Sequence, residues 1–388
     1  MFNSFKKVFR REVSRIVHDK IILIGSVGII GFCLIFFVSL FNEGLPQKMP
    51  VGVVDLDNSS LSRTYIRNLD ATQQVRITSH YYSFTEARKA MQRGEIYGFV
   101  VLKEGFSAEV ISNRQPKITF YLNDAYLIAG SLILKDITYM SELTNGAVKQ
   151  TALLARGMES SRIMGIIQPI SVDTHLVGNP WANYGVYLLT VLLPGVMQVM
   201  IMMLTVYAIG SELKYRTSKE WFETADNSFF AALAGKLLPQ TIIFIVLGII
   251  TDIVLFKILH FPVNSSFVWM ICAMLLFVVV YQAIGIFIIG VTPVLRDGVT
   301  LTAFYGLLGF TFAGFTFPIE QLPYPFRIFS GIFPIRHYFE IYVQQALYGL
   351  PIEHSVSEFL TLAVFLFVPV IIFRRLNKAV MYQHYPVK

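Results

Sequence analysis

Long apolar runs dominate the pattern of hydrophobic and polar positions along this chain. A helix needs roughly 20 apolar residues to cross the about 30 Å of hydrocarbon in a bilayer. A soluble core of similar apolarity would be broken by turns or would alternate as strands do, and neither pattern appears. We therefore predict an α-helical membrane core in the second half of the chain, built on four runs with little or no charge: Tyr184 to Ile209, Leu237 to Leu259, Phe267 to Val291 and Val299 to Phe317.

Two further runs bring the predicted number of membrane spans to six. Residues 21–41 are uncharged, exceed the length of a signal-peptide core and precede no small-residue cleavage site, so we predict an uncleaved first span. Val356 to Phe373 is the predicted sixth span. Residues 1–20 are rich in cations and repeat an apolar residue every three or four positions, which predicts a cytoplasmic amphipathic helix in the headgroup layer.

Between the first two spans, residues 42–183 change to the pattern of a soluble α/β domain. Short β-branched runs alternate with helical stretches, which predicts a small mixed sheet with helices packed on it. Asp55 and Asp57 favour turn formation and helix capping, with a metal pair as the alternative. The predicted strands are 50–55, 75–82, 96–102, 117–122 and a last one near 170–177, and the predicted helices run to about 69, over 84–93, over 104–112 and over 125–162.

The composition supports a membrane protein and argues against a nucleic-acid partner. The chain is 54% hydrophobic and 15% charged, whereas an average soluble chain is roughly 25% charged. Residues 42–184 hold 14 of the 32 cations and 13 of the 25 acids, so most of the net charge of +7 lies around the spans and in the tails. An excess of cations beside the spans is typical of membrane proteins, in which these cations set the orientation of the chain.

The orientation follows from the cations beside the spans. With the N-terminus inside, residues 42–183 are extracytoplasmic, the segment 211–236 is a cytoplasmic loop and the tail 374–388 ends inside. The short cytoplasmic segments then carry cations, and the external loop 260–266 carries no lysine or arginine, as the positive-inside rule requires.

Small residues inside the spans have structural interpretations. Gly25, Gly28 and Gly31 recur every third residue, and in an apolar span this predicts close helix packing rather than nucleotide binding. Cys33 and Cys272 also fall within spans and imply no disulfide framework.

Residues 318–350 form short aromatic-rich pieces that are cut by prolines and are too short to span. Irregular backbone at membrane depth persists only where protein or water satisfies its polar groups. We therefore predict re-entrant helices at the outer side, with these candidate functional residues: Pro318, Glu320, Pro323, Pro334 and Glu340.

Polar residues inside the spans are candidates for a translocation path. A polar or charged group in hydrocarbon usually faces a cavity or a partner. Asp252, Gln198 and Gln282 are the candidates, and for Asp252 a hydrogen bond between packed helices is an equal alternative.

The loop 211–236 combines charges with aromatic residues that water would solvate poorly. Trp221 and Phe222 therefore predict a surface that docks into a cleft of another protein. An amphipathic helix resting on the membrane is the alternative. The chain contains no GxxxxGK[ST], HExxH, GxSxG or CxxC sequence, so we predict a non-enzymatic chain with no bound metal or cofactor, and any ATP must bind elsewhere.

Short motifs are spread over most of the chain: Gly52 to Asp55 with Asp57, Asn179-Pro180 with Pro194-Gly195, Glu212 with Thr217 and Trp221, Gly235-Lys236, Gly314 to Glu320, Leu322-Pro323 and Phe333 to Glu340. Together they resemble the motifs of the permease subunits of the ABC-2 export family, in particular bacterial drug or lipid exporters with a large periplasmic domain. Arg216 stands where many members have glycine.

The resemblance implies six transmembrane helices of ABC-2 (type V exporter-like) architecture, with the α/β domain inserted after the first. It implies a bacterial inner-membrane location, a separate ATPase subunit that holds ATP and magnesium, a second permease subunit, contact with membrane lipid, and a periplasmic adaptor as a further possible partner. The residues that it assigns to ATPase coupling are Glu212, Thr217, Glu220, Trp221 and Phe222.

The expected function is outward transport of a drug-like or lipid-like amphipathic substrate. Aromatic residues between Phe304 and Phe317 suit such a substrate. The alternative is a membrane-anchored receptor or assembly scaffold whose external domain binds a partner and whose spans transport nothing.

Overall fold

The structure is a computed structural model that describes residues 2–112, 114–168 and 175–383. The chain divides into two compact units. One is Leu45–Thr174, and the other combines Met1–Gly44 with His175–Lys388.

The first unit is built on a four-stranded sheet. Its strands are β1 (Met49–Asp55), β2 (Val75–His80), β3 (Gly98–Leu102) and β4 (Thr119–Leu122). The spatial order is β2-β1-β3-β4, in which β1 is parallel to both neighbours and β4 is antiparallel to β3. The four predicted strands before residue 123 are thus present as a mixed sheet. The helices of this unit are α3 (Ser60–Asp70), α4 (Phe84–Gln92), α5 (Phe106–Ile111), α6 (Leu127–Ala155) and α7 (Ser160–Ile167).

Strand alternation gives this sheet a core on each face. Val53 and Val100 point into one cluster with α3 and α6, whereas Val54 and Phe99 point into a second cluster with α4. The central strands are therefore covered on both sides, which explains why they read as nearly continuous apolar runs.

Polar side chains fix the turn after β1, as the capping interpretation predicted. Ser59 and Ser62 form a capping box at the start of α3, and Ser62 Oγ donates to Asp55 Oδ2 at 2.7 Å. The Ser107 amide donates to Asp57 Oδ2 at 3.2 Å. Because Ser59 and Ser107 hydrogen-bond to this carboxylate, the pKa of Asp57 lies below its ordinary value.

Of the predictions for this unit, one differs from the structure and one lies mostly outside the described residues. The continuous helix over 125–162 is wrong, because α6 ends at Ala155 and α7 begins at Ser160, with Gly157 at φ +77° in the connection. Glycine adopts this left-handed conformation without strain and so terminates the helix. The predicted strand near 170–177 lies mostly outside the described residues, and 175–177 are not in a strand.

The second unit is helical. Among the described residues, five of its helices are long and apolar enough to cross a membrane: α2 (Lys20–Leu40), α8 (Tyr184–Lys214), α10 (Phe229–Ile258), α11 (Phe267–Val291) and α15 (Val356–Tyr382). α11 packs against α8, α10 and α15. The elements in order are α1 (Phe2–His18), α2 (Lys20–Leu40), α8 (Tyr184–Lys214), α9 (Ser218–Thr224), α10 (Phe229–Ile258), α11 (Phe267–Val291), α12 (Leu295–Thr311), α13 (Tyr324–Ser330), α14 (Pro334–Ile341) and α15 (Val356–Tyr382).

The predicted run Val299 to Phe317 is not helical throughout. α12 has 17 residues, which gives about 26 Å at about 1.5 Å per residue, less than the roughly 30 Å of a bilayer core. Its end at Thr311 precedes Gly314, where φ is +95°. The apolar run continues past the helix because Ala313 and Ile319 are buried in the turn beyond it.

The predicted loop 211–236 is also shorter than expected. α8 continues to Lys214 and α10 begins at Phe229, so the ends of the loop are helical and α9 occupies its middle. Of the three span glycines, Gly25 faces Leu204 of α8, whereas Gly31 has nothing within 4 Å of where a Cβ would lie. The close-packing interpretation therefore holds for Gly25 and is wrong for Gly31 within the described chain.

Candidate coupling site

Of the residues predicted to couple to an ATPase, Glu212 is a buried carboxylate at the end of α8. Glu212 is fully buried on the last turn of this helix. Arg11 of α1 donates from both terminal nitrogens to its two carboxylate oxygens, at 3.0 and 3.3 Å. Arg15, one turn further along α1, donates to Glu212 Oε1 at 2.7 Å and to Ser211 Oγ at 2.7 Å. A paired arginine fork of this kind fixes both distance and orientation.

A buried lysine joins the same carboxylate to α10. Lys236 is fully buried, and its Nζ lies 2.8 Å from Glu212 Oε1 and 2.6 Å from Glu12 Oε1. Nζ also lies 4.9 Å from the centre of the Trp221 ring, within the range of a cation–π contact. Trp221 Nε1 in turn donates to the Ala232 carbonyl at 3.2 Å. We call Arg11, Glu12, Arg15, Glu212 and Lys236 the charged network.

The charged network contains three cations and two acids, so each buried carboxylate has a cationic partner. Burial alone would lower the pKa of Arg11, but the hydrogen bond and the charge of Glu212 raise it above its ordinary value. Thr217 Oγ1 also donates to Glu212 Oε2. The network therefore connects α1, the end of α8, the start of α10 and the residue before α9.

Arg216 shows why a glycine suits the position before Thr217. Its φ is +60°, the left-handed conformation that side chains with a Cβ adopt at a cost. The connection between α8 and α9 thus keeps this backbone geometry even with arginine in place.

Trp221 and Phe222 do not form the exposed patch that the sequence predicted. Trp221 is 0% exposed and Phe222 is 7% exposed, because α9 turns this face toward the helices of its own unit. The expectation that these two side chains dock into another protein is therefore wrong as a statement about exposure. The outer face of α9 presents Lys219, Glu220 and Glu223 instead, with an exposed Lys219–Glu223 pair at 4.0 Å.

α1 and the end of α15 contact the segment that contains α9. Ser218 Oγ donates to the Val380 carbonyl at 3.0 Å, and Gln383 Nε2 donates to the Arg216 carbonyl at 3.0 Å. Ser4 Oγ on α1 donates to Asp226 Oδ2 at 2.6 Å. α1, α9 and the end of α15 therefore lie together at one end of the helical unit.

The three predicted translocation residues are buried but are not assembled into one site. Gln198 Nε2 donates to the Gly306 carbonyl at 3.1 Å, and Gln282 Oε1 accepts from Thr241 Oγ1 at 2.7 Å. Asp252 is 1% exposed, and its Oδ2 has no hydrogen-bond partner among the described residues. No hydrogen bond links the three to one another in the part of the chain that the structure describes.

Tyrosine hydroxyls satisfy the backbone of the proline-cut segment. The Ile335 amide donates to Tyr281 Oη at 2.9 Å, and Tyr305 Oη donates to the Ile332 carbonyl at 2.7 Å. Short helices replace a span here, as the pattern of prolines predicted. Pro318 and Pro323 lie at the starts of short helical turns and Pro334 is buried at the first position of α14, while Glu320 is exposed and Glu340 is half-buried.

Sequence reasoning missed Arg11, Glu12 and Arg15. The signal was present, because Glu12 continues the row Ser4, Val8, Glu12 and Ile16, whose members are all buried. A carboxylate in the buried row of an amphipathic helix requires a cationic partner. Gln240 was also missed, and both of its side-chain polar atoms are buried without a partner in the described chain.

These features define a multi-pass membrane protein with a small mixed α/β unit and a charged network at one end of its helices. A family model described as ABC-2 family transporter protein matches residues 20–375. The chain therefore belongs to the ABC-2 transporter family, whose members are membrane subunits of transporters and usually work with an ABC ATPase subunit. No match is found among curated proteins.

Proposed function

We propose that this chain is the permease subunit of an ATP-driven exporter and that the charged network transmits the movement of a separate ATPase to the spans. The observation that carries the proposal is the arrangement around α9. Its outer face is charged and exposed, whereas its inner face is fixed through Trp221, Lys236 and Glu212 to α8 and α10. A partner that displaces α9 would therefore also displace the ends of two candidate spans.

The N-terminal helix serves in this mechanism as a clamp. α1 joins the network through Arg11, Glu12 and Arg15 and packs along the start of α10. The buried row of α1 makes this contact, and Val13 on its apolar face stays exposed. Bound in this way, α1 and the end of α8 move together when α9 moves.

The proposed orientation places both termini and α9 in the bacterial cytoplasm. The cations Arg374, Arg375 and Lys378 near the end of α15 support this, since cytoplasmic flanks are enriched in lysine and arginine. α12 and the turn that follows it then count as one span, which brings the number of spans to six. Leu45–Thr174 would lie outside as an inserted domain, where it offers a surface for a periplasmic adaptor.

The proposed substrate is amphipathic and drug-like or lipid-like. Phe312 contacts Phe326, Phe329 and Phe333, which gives the proline-cut segment an aromatic wall. Aromatic walls with few polar groups suit apolar ligands better than sugars or ions. Two permease subunits would enclose the path, and ATP with magnesium would bind on the partner ATPase.

The test is purification of the tagged chain from its native membrane in mild detergent, with mass spectrometry and an ATPase assay of the co-eluting proteins. We expect a nucleotide-binding subunit in near-equal amount. Charge reversal of the outer face of α9 by Glu220→Lys with Glu223→Lys should reduce its recovery while the melting temperature of the chain stays unchanged.

A second variant separates docking from folding. Trp221→Ala removes a fully buried aromatic side chain and should lower the stability of the chain by about 3–5 kcal/mol.

Elution without any ATPase, under conditions that preserve other such complexes, would remove the energy source and leave the receptor or scaffold function. Normal recovery with the charge-reversed α9 would contradict its assignment as the docking surface.

A further inference from the structure

An apolar groove runs along the outside of the helical unit beside the charged network. It lies between α1, α10, α11 and α15 and has a volume of about 940 Å³. Phe230, Val370 and Ile371 on its sides are mostly exposed. Because α10, α11 and α15 are long and apolar enough to span a membrane, this groove opens toward hydrocarbon rather than water.

The length of the groove matches one leaflet of a bilayer. Along α10 it extends from Phe230 to Thr241, which is about 16 Å at a rise of about 1.5 Å per residue. Half of the hydrocarbon thickness of about 30 Å is about 15 Å. A single acyl chain of the adjacent leaflet therefore fits along the length of the groove.

A polar group lies at the deep end of the groove. Gln282 is 4% exposed, its Oε1 accepts from Thr241 Oγ1, and its Nε2 is buried without a partner in the described chain. A buried amide donor without a partner costs about 1–3 kcal/mol. The chain itself encloses this nitrogen, so a molecule in the groove does not contact it.

A cation lies at the other end. Arg374 is exposed and makes no ion pair with another described residue. Of the described residues that line the groove, it alone is charged. Phe230 and Phe373 stack beside it with ring centres 5.0 Å apart. The groove thus combines an apolar channel with an unpaired guanidinium at its mouth, which is complementary to an anionic amphiphile.

We propose that this groove binds an anionic phospholipid from the adjacent leaflet. Arg374 contacts the phosphate headgroup, and one acyl chain lies along α10 and α15. Arginine holds phosphate oxygens through paired hydrogen bonds, whereas a zwitterionic lipid also presents an ammonium group that the guanidinium repels.

The test measures lipid binding to the purified full chain in detergent by native mass spectrometry. Phosphatidylglycerol and phosphatidylcholine with identical acyl chains are the two probes. We expect one tightly held phosphatidylglycerol per chain and about tenfold weaker binding for Arg374→Gln. Arg375→Gln is the matched control, because Arg375 is also exposed but does not line the groove.

A second variant tests the channel itself. Ala234→Phe places a ring into the groove at an exposed lining position and should abolish tight binding of phosphatidylglycerol. Equal loss in the Arg374 and Arg375 variants would indicate attraction by diffuse surface charge and would overturn the proposal. So would equal affinity for the two lipids, unchanged binding to Ala234→Phe, or a groove covered by a second copy of the chain without lipid. No ATPase is needed, so the result is independent of the proposed function.

Discussion

Replacing Lys236 with methionine tests whether the charged network holds the end of the helical unit together. The variant keeps most of the side-chain volume but removes the ammonium group between Glu12 and Glu212, which are 1% and 0% exposed. Breaking a buried ion pair by removing one partner costs about 3–5 kcal/mol, because the remaining charge stays buried.

The structure places the expected loss at the low end of that range. Arg11 still lies 3.2 Å from Glu12 Oε1 and 3.0 Å from Glu212 Oε1 after the change, and Arg15 still contacts Glu212. We therefore expect Lys236→Met to lose about 3 kcal/mol. For a unit of this size, roughly 2 °C of melting temperature is lost per kcal/mol, so the expected shift is about 6 °C.

The assay is thermal unfolding of the purified chain in detergent, with Lys219→Met as the matched control. Lys219 has a side chain that is 72% exposed and pairs with Glu223 at 4.0 Å, so its loss should change stability by less than about 1 kcal/mol. The double variant Lys236→Met with Glu12→Gln should recover part of the loss, since it also removes the carboxylate that keeps only Arg11 as its partner. Equal melting temperatures for the two lysine variants would refute the reasoning.

Three further predictions concern other contacts. Tyr281→Phe leaves the buried Ile335 amide without an acceptor and should cost about 1–3 kcal/mol in the same melting assay. Gly306→Ala would place a Cβ 2.5 Å from Val199 and should cost about 1–3 kcal/mol, whereas Gly31→Ala, with open space, should be neutral or slightly stabilising. The pKa of Asp57 is below its ordinary value of 3.8, so the stability that its carboxylate contributes is present above pH 3.8 and is lost as the pH falls below that value. Asp57→Asn should therefore make the sheet unit less sensitive to acid, and strand-specific hydrogen exchange measures this change.

The elements of the fold followed from the sequence where one local rule decided the outcome. β1 and β3 are bounded by turn residues and are buried on both faces, so their continuous apolar runs gave their positions. The first candidate span was also predicted to within one residue at each end, because length and apolarity alone identify such a helix.

Predictions failed where tertiary contacts decided the outcome. The apolar run through Phe317 looked like one span, but the backbone turns at Gly314 and the following residues pack into that turn. The local pattern does not distinguish an aromatic residue that faces lipid from one that faces a turn of its own chain.

The local pattern also gave the wrong exposure for the aromatic residues of α9. Trp221 among charges reads as an exposed docking residue only if those charges lie in water. Its nearest cation, Lys236, is instead buried with it, held by a carboxylate of α1 that is 224 positions away in sequence. No local pattern reports a contact of that separation, although Glu12 in the buried row of α1 showed that a partner had to exist.

Buried ion pairs are a poor route to stability, which bears on why the charged network is present at all. Well-packed apolar residues of similar volume often replace such pairs with no loss or with a gain. A network of arginine forks differs from an apolar contact in that it fixes one relative arrangement of the helices, because the hydrogen bonds of Arg11 and Arg15 to Glu212 are directional. An apolar contact between α1, α8 and α10 would permit sliding, and sliding would dissipate a displacement of α9 before it reached the spans. The directional network is therefore the arrangement expected if this end of the molecule transmits movement.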